Sequence, residues 1–147
     1  MATLYSDIYN LFLNRITDYD LPAFTEENRE SILYGFMISS CSKFKRVCKK
    51  MSGIDLSDRD EVNKQFNSSL SDEQKDIIAT GMIAEWVKPK YYLDENMRNI
   101  LNTKDYNMAA SPVNVLNGVR NTYYQVKKEF ESAINKYSFV NGDTDKS

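Results

Sequence analysis

The chain has 147 residues, 41% of them apolar and 27% charged, with 19 basic and 21 acidic side chains and no histidine. This is the size of one domain with a real core, and the balance of a globular chain rather than a disordered one. The net charge of −2 argues against non-specific DNA binding as the main activity, and the lack of histidine excludes Ser-His and Cys-His catalysis, histidine-bearing metal sites and histidine proton shuttles.

Leu4, Ile8, Leu11, Phe12 and Ile16 recur at helical spacing and predict an amphipathic first helix over residues 4 to 17. Tyr5, Tyr9 and Leu13 widen its apolar face beyond one stripe, which suits contact with another subunit or burial between two neighbours. Asp18 to Pro22 breaks the pattern, and Thr25 with Glu26 and Glu27 starts a second helix.

The second helix carries Ile32, Leu33, Phe36, Met37, Ser40, Cys41, Phe44 and Cys48 on one side and is expected to last to about Lys50. Its end forms a basic patch, Lys43, Lys45, Arg46, Lys49 and Lys50, which complements the negative end of the helix dipole and is also suited to phosphates or an acidic partner. On such a helix Cys41 and Cys48 share a face about 10 Å apart, too far for a disulfide, and two ligands cannot build a zinc site. Ser40-Cys41-Ser42-Lys43 spells Ser-x-x-Lys, but neither companion motif of the penicillin-binding proteins is present.

Residues 51 to 70 are polar, with Gly53 and the acidic run Asp55, Asp58, Asp60 and Glu61. The run lacks the ligand spacing of a calcium loop, so a solvated connection is expected, with a short helix from Asp58 to Phe66. Phe66 and Leu70 fold back onto the core in this reading.

The most fully signalled element is LSDEQKDIIATGMIAEWVKP, from Leu70 to Pro89. Ser71 and Gln74 make a capping box, Asp72 and Glu73 suit the first turn, and Pro89 biases Lys88 out of the helical region. Ile77, Ile78, Gly81, Met82, Glu85 and Trp86 share one face, predicting a central core helix whose small residues Ala79, Gly81 and Ala84 admit a close neighbour. Glu85 on the edge of that stripe is expected to be paired at a boundary rather than catalytic.

Beyond Pro89 a loop and a short helix burying Leu93, Met97, Ile100 and Leu101 are expected, then a polar linker from Thr103. Ser111-Pro112 starts the last helix, in which Leu116, Val119, Tyr123, Val126, Phe130, Ala133 and Tyr137 alternate steps of three and four. From Pro112 to Tyr137 it is about 39 Å long and wants a helical partner throughout. Residues 138 to 147 read as a flexible polar tail after a single domain of residues 1 to 137.

No strand-type alternation occurs, so the expected architecture is all-α: an antiparallel bundle of three to four main helices with two short helices and long polar loops. The expected core is Ile77, Ile78, Met82, Trp86, Leu116, Val119, Tyr123, Val126 and Phe130. The five glycines never cluster into a phosphate-cradling loop, and no run is apolar enough for a membrane span, so a protein made and kept in a cytoplasm is expected. No catalytic residue, metal or cofactor is read from the sequence.

The order of pieces resembles the adaptor, or head-tail connector, proteins of long-tailed bacteriophages. The matching residues are Phe66, Leu70, Ser71 and Gln74, then I-I-A-x-G-M-I-x-E-W-x-x-P from Ile77 to Pro89, then a long tyrosine-bearing helix closing on Tyr137-Ser138-Phe139. The similarity covers roughly residues 60 to 140; the Met-x-x-Glu-Trp-x-x-Pro segment is the distinctive part and the flanking helices are generic. The resemblance implies a helical bundle assembled as a ring, usually of twelve copies, beneath the portal in the virion neck. Such a ring, put together in the host cytoplasm, extends the DNA channel and meets a stopper or tail completion protein on its lower face, with duplex DNA passing through without sequence recognition.

On this reading Tyr5, Tyr9 and Leu13 serve subunit contacts, the tail residues Ser138, Phe139, Val140 and Asn141 dock on the portal, and residues 51 to 64 or 103 to 111 face the channel or the next ring. The basic patch meets DNA or an acidic neighbour, with the neighbour favoured because dense positive charge in the lumen would hold DNA back. Two other classes remain open: a small helical DNA-binding or regulatory protein using Lys43 to Lys50, and a helical enzyme holding a metal with carboxylates such as Glu85 or Asp94.

Overall fold

The computed structural model describes the backbone of residues 2–16, 29–103 and 110–145, and the side chains of residues 2–16, 30–88 and 121–139. In chain order these form β1 (Thr3–Leu4), α1 (Tyr5–Arg15), α2 (Arg29–Ser52), β2 (Arg59–Asp60), β3 (Gln65–Phe66), α3 (Asp72–Thr103) and α4 (Ala110–Asp145). The fold is an all-α bundle with a small three-stranded sheet at one end.

The bundle is organised on α3. Its start is the capping box read from the sequence: the Gln74 amide donates to Ser71 Oγ at 3.1 Å and the Ser71 amide donates to Gln74 Oε1 at 2.8 Å. α4 runs antiparallel to it, since Gln74 meets Tyr137 near the start of α3 and Gly81 meets Phe130 one to two turns further on. α2 crosses both at Ser40, whose hydroxyl donates to the Ile78 carbonyl at 2.8 Å. The small residues of α3 permit this closeness, for a Cβ on Gly81 would lie 2.1 Å from Ser40 Oγ and 2.7 Å from the Phe130 ring. α1 packs on the other side, with Phe12 edge-on to Trp86 at 5.8 Å.

Three expectations are corrected. The segment predicted as a short helix from Asp58 to Phe66 is a β-hairpin, β2 pairing with β3 through Asp60↔Gln65 and Arg59↔Phe66. Asp60 decides it locally: its carboxylate accepts the amides of Val62 and Asn63, both at 3.0 Å, offering the backbone a turn in place of a helix, and Lys64 closes the loop at φ +53°. The other half of the cause is non-local, because β1 adds to β3 through Thr3↔Phe66 and Leu4↔Gln65. Thr3 Oγ1 then donates to the Ser68 carbonyl and accepts the Leu70 amide, tying the chain start to the base of α3.

Pro89 does not end α3, which continues to Thr103 and absorbs the separate short helix expected there. A proline removes one backbone bond, which kinks a helix without stopping it when the preceding turn is held by burial, as Trp86 and Val87 hold it here. Residues 138 to 145 are likewise not a polar tail but the last turns of α4.

The remaining boundaries agree within a turn: α1 ends at Arg15, α2 ends at Ser52 with Gly53 at φ +78° donating to the Lys49 carbonyl, and α4 begins at Ala110 just before Ser111-Pro112. The expected start of the second helix at Thr25 and most of the linker after Thr103 lie outside the described residues. The side chains of Leu93, Asp94, Met97, Ile100, Leu101, Leu116 and Val119 lie outside them too. Of the expected core, Ile77, Ile78, Met82, Trp86, Tyr123, Val126 and Phe130 are all buried.

Candidate interaction surfaces

Tyr5 and Tyr9, expected at a subunit contact, are buried in the chain's own core at 2% and 9% exposure. The hairpin explains the difference. Phe66 of β3 stacks edge-on to Tyr5 at 5.3 Å, Tyr34 of α2 lies 5.8 Å from it, and Tyr9 is 6.4 Å away, so the wide face of α1 is covered from within the chain. Leu13 is half-buried and packs against the same core.

These tyrosines line a cleft of about 580 Å³ with Glu30, Ser31, Glu61 and Lys64. Tyr5 Oη donates to Glu61 Oε1 at 3.2 Å, Arg59 Nε pairs with the same carboxylate at 3.3 Å, and Lys64 pairs with Glu30. Hydrogen bonding from Tyr34, Arg59 and Tyr5 holds the Glu61 carboxyl below its ordinary range. Burial first, and then the charge of Glu61, pushes Tyr5 up to about 12; burial and the charge of Glu30 push Tyr9 up as well. Nothing in the residue pattern signals this cleft, because its walls come from α1, α2 and a hairpin that periodicity does not reveal.

Raised phenols bind protons on folding, so their contribution to stability is complete below the unfolded phenol pKa near 10 and is lost as pH rises through about 12. The melting temperature is therefore expected to hold through neutral pH and fall steeply above pH 10. Absorbance of tyrosinate should show at least two late-titrating phenols that join the rest on denaturation; normal titration of all phenols in the folded chain would contradict the burial of Tyr5 and Tyr9.

Glu85 is paired at the edge of the core, as its position suggested: Lys43 Nζ lies 2.6 Å from Glu85 Oε1, whose side chain is only 15% exposed. That removes Lys43 from the basic patch. Lys45, Arg46, Lys49 and Lys50 remain exposed on the outer side of α2 and make no ion pair among the described residues. Ser40 of the Ser-x-x-Lys match is fully buried and its hydroxyl is committed to the Ile78 carbonyl, while Lys43 is committed to Glu85, so the pair is not an activated nucleophile.

Cys41 and Cys48 are free and buried, and burial pushes the Cys41 thiol up to about 12. Among the described residues no group of three potential metal ligands comes together, and no helix is long and apolar enough to cross a membrane.

Of the four residues expected to dock on a portal, Phe139 stands 75% exposed on α4 and Ser138 is half-buried beside it. Val140 and Asn141 continue that helix, with their side chains outside the described ones. The residue that sequence reading undervalued is Tyr137, one position earlier, which is buried against Phe44 and accepts a hydrogen bond from Gln74 Nε2 at 2.9 Å. No protein-family model matches the chain, and no curated protein or solved structure is significantly similar to it.

Proposed function

We propose that the chain is a head-tail adaptor, a non-enzymatic structural protein that forms a ring between the portal vertex and the tail in the virion neck and extends the channel through which duplex DNA passes. The observation that carries the reading is what the distinctive segment does. Gly81 admits α2 and α4, Met82 and Trp86 fill the core, and Glu85 anchors Lys43, so these residues of the resembling run are spent on holding the helices together. Residues committed to packing hold the bundle together, so on this reading the interactions fall to the exposed surfaces.

Two such surfaces are the basic side of α2 and the end of α4 bearing Phe139. We assign the α4 end to the portal. Mixed with the portal of the same phage, the chain is expected to form a ring complex by native mass spectrometry, with twelve copies as the expected number. Deleting Ser138 to Ser147 should abolish docking and reduce helix content only by the turns after Tyr137. Full docking by the shortened chain would remove the assignment of this end, and no complex with the intact chain would remove the adaptor reading itself.

A further inference from the structure

The basic side of α2 is explained only in part by the fold. Residues 43 to 50 hold five of the 19 basic side chains and no acid, and among the described residues only Lys43 of the five has an ion-pair partner. The helix dipole accounts for cations in the last turn, but its effect fades within that turn, and Lys45 and Arg46 stand before it. Lys45 faces Lys49 and Arg46 faces Lys50 at a spacing where like charges repel. A face that costs the free chain stability and contributes nothing to its packing is one shaped for an anionic partner.

The same chain carries the complement. With net charge −2 overall, the residues outside 43 to 50 sum to −7. Over residues 55 to 76 there are seven acids against Arg59, Lys64 and Lys75. At the start of α3, Asp72, Glu73 and Asp76 surround a groove of about 460 Å³ floored by Leu11 of α1. Asp76 is held by Arg15 at 2.5 Å; Asp72, with only Lys75 of its own turn at 4.0 Å, and Glu73 are exposed to solvent. The geometry points to a head-to-tail contact in which Lys45, Arg46 and Lys49 of one copy meet Asp72 and Glu73 of the next. Two different patches on one chain make a heterologous interface, the kind that gives a ring where its rotation closes and an open filament where it does not. The inference takes its partner, a second copy, from the adaptor reading and adds the surfaces that join the copies.

The test is charge exchange followed by native mass spectrometry and sedimentation. The wild-type chain is expected to associate at low salt and to lose on the order of tenfold or more in affinity as the screening length shortens toward ~3 Å at 1 M. One variant carries Lys45→Glu, Arg46→Glu and Lys49→Glu, the other Asp72→Lys and Glu73→Lys. Each alone should be monomeric, and an equimolar mixture should reassemble, because every contact then again joins opposite charges. Gln and Asn replacements at the same positions, which place no repelling charge at a helix end, should also be monomeric and keep their helix content.

Wild-type behaviour of the basic-face variants, a mixture that stays monomeric, or salt-sensitive binding of a duplex oligonucleotide by a wild-type chain that never self-associates would each overturn the contact. The two readings fail separately. Portal rings that still form with the Gln variants would remove this contact and leave the adaptor, whereas charge-rescued association without any portal complex would keep the contact and remove the adaptor.

Discussion

Gly81→Ala is expected to destabilise the protein by about 2 kcal/mol, lowering the melting temperature by about 4–8 °C. A methyl group there would lie 2.1 Å from Ser40 Oγ and 2.7 Å from two atoms of the Phe130 ring. Neither neighbour can step aside freely. Ser40 is fully buried and its hydroxyl is committed to the Ile78 carbonyl, while Phe130 is 5% exposed and wedged between α3 and α4. Overpacking of this kind costs about 1–3 kcal/mol and the displaced hydroxyl about 1 more. Alanine's better helix propensity returns about 1 kcal/mol, which sets the net figure.

The control is the same substitution on α2. Gly35 is exposed in mid-helix with nothing within 4 Å of an added Cβ, so Gly35→Ala should stabilise by up to about 1 kcal/mol. Opposite signs for one chemical change, read by thermal and urea unfolding, separate close helix crossing from propensity. A neutral or stabilising Gly81→Ala would mean that the three helices do not meet at this point.

How far the fold was legible follows from which interactions are local. The capping box of Ser71 and Gln74, the stripe from Ile77 to Trp86 and the seam through Tyr123, Val126, Phe130 and Tyr137 rest on spacings within one helix, and the structure reproduces each. The boundary role of Glu85 was legible for the same reason. What stayed hidden depends on partners far along the chain. The hairpin exists because residues 3 and 4 pair with residues 65 and 66, and the burial of Tyr5 and Tyr9 depends on that hairpin in turn. An apolar face too wide for one neighbour signals a second neighbour; whether that neighbour is another subunit or a distant part of the same chain cannot be read from the helix alone. Pro89 misled for a related reason, since a local breaker yields where Trp86 and Val87 are fixed by tertiary packing.

The second large effect is expected at Tyr137, the point where the end of α4 is fastened to the start of α3. Gln74 uses both ends of its amide: Oε1 accepts the Ser71 amide of the capping box and Nε2 donates to Tyr137 Oη at 2.9 Å, in a site where Gln74 is 3% and Tyr137 2% exposed. Tyr137→Phe keeps the ring against Phe44 but leaves the Gln74 donor unsatisfied, at a cost of about 1–3 kcal/mol. Gln74→Ala also loses half of the capping box, so about 2–3 kcal/mol is expected. Because each single change removes the same bond, the double variant should cost less than the two together by about 1 kcal/mol. Strict additivity in such a cycle would show that the bond is not made in solution and that apolar packing alone sets the register of α4. With the coupling present, the end of α4 is rigidly placed up to Tyr137, and the exposed Phe139 stands on a fixed helix rather than on a loose chain.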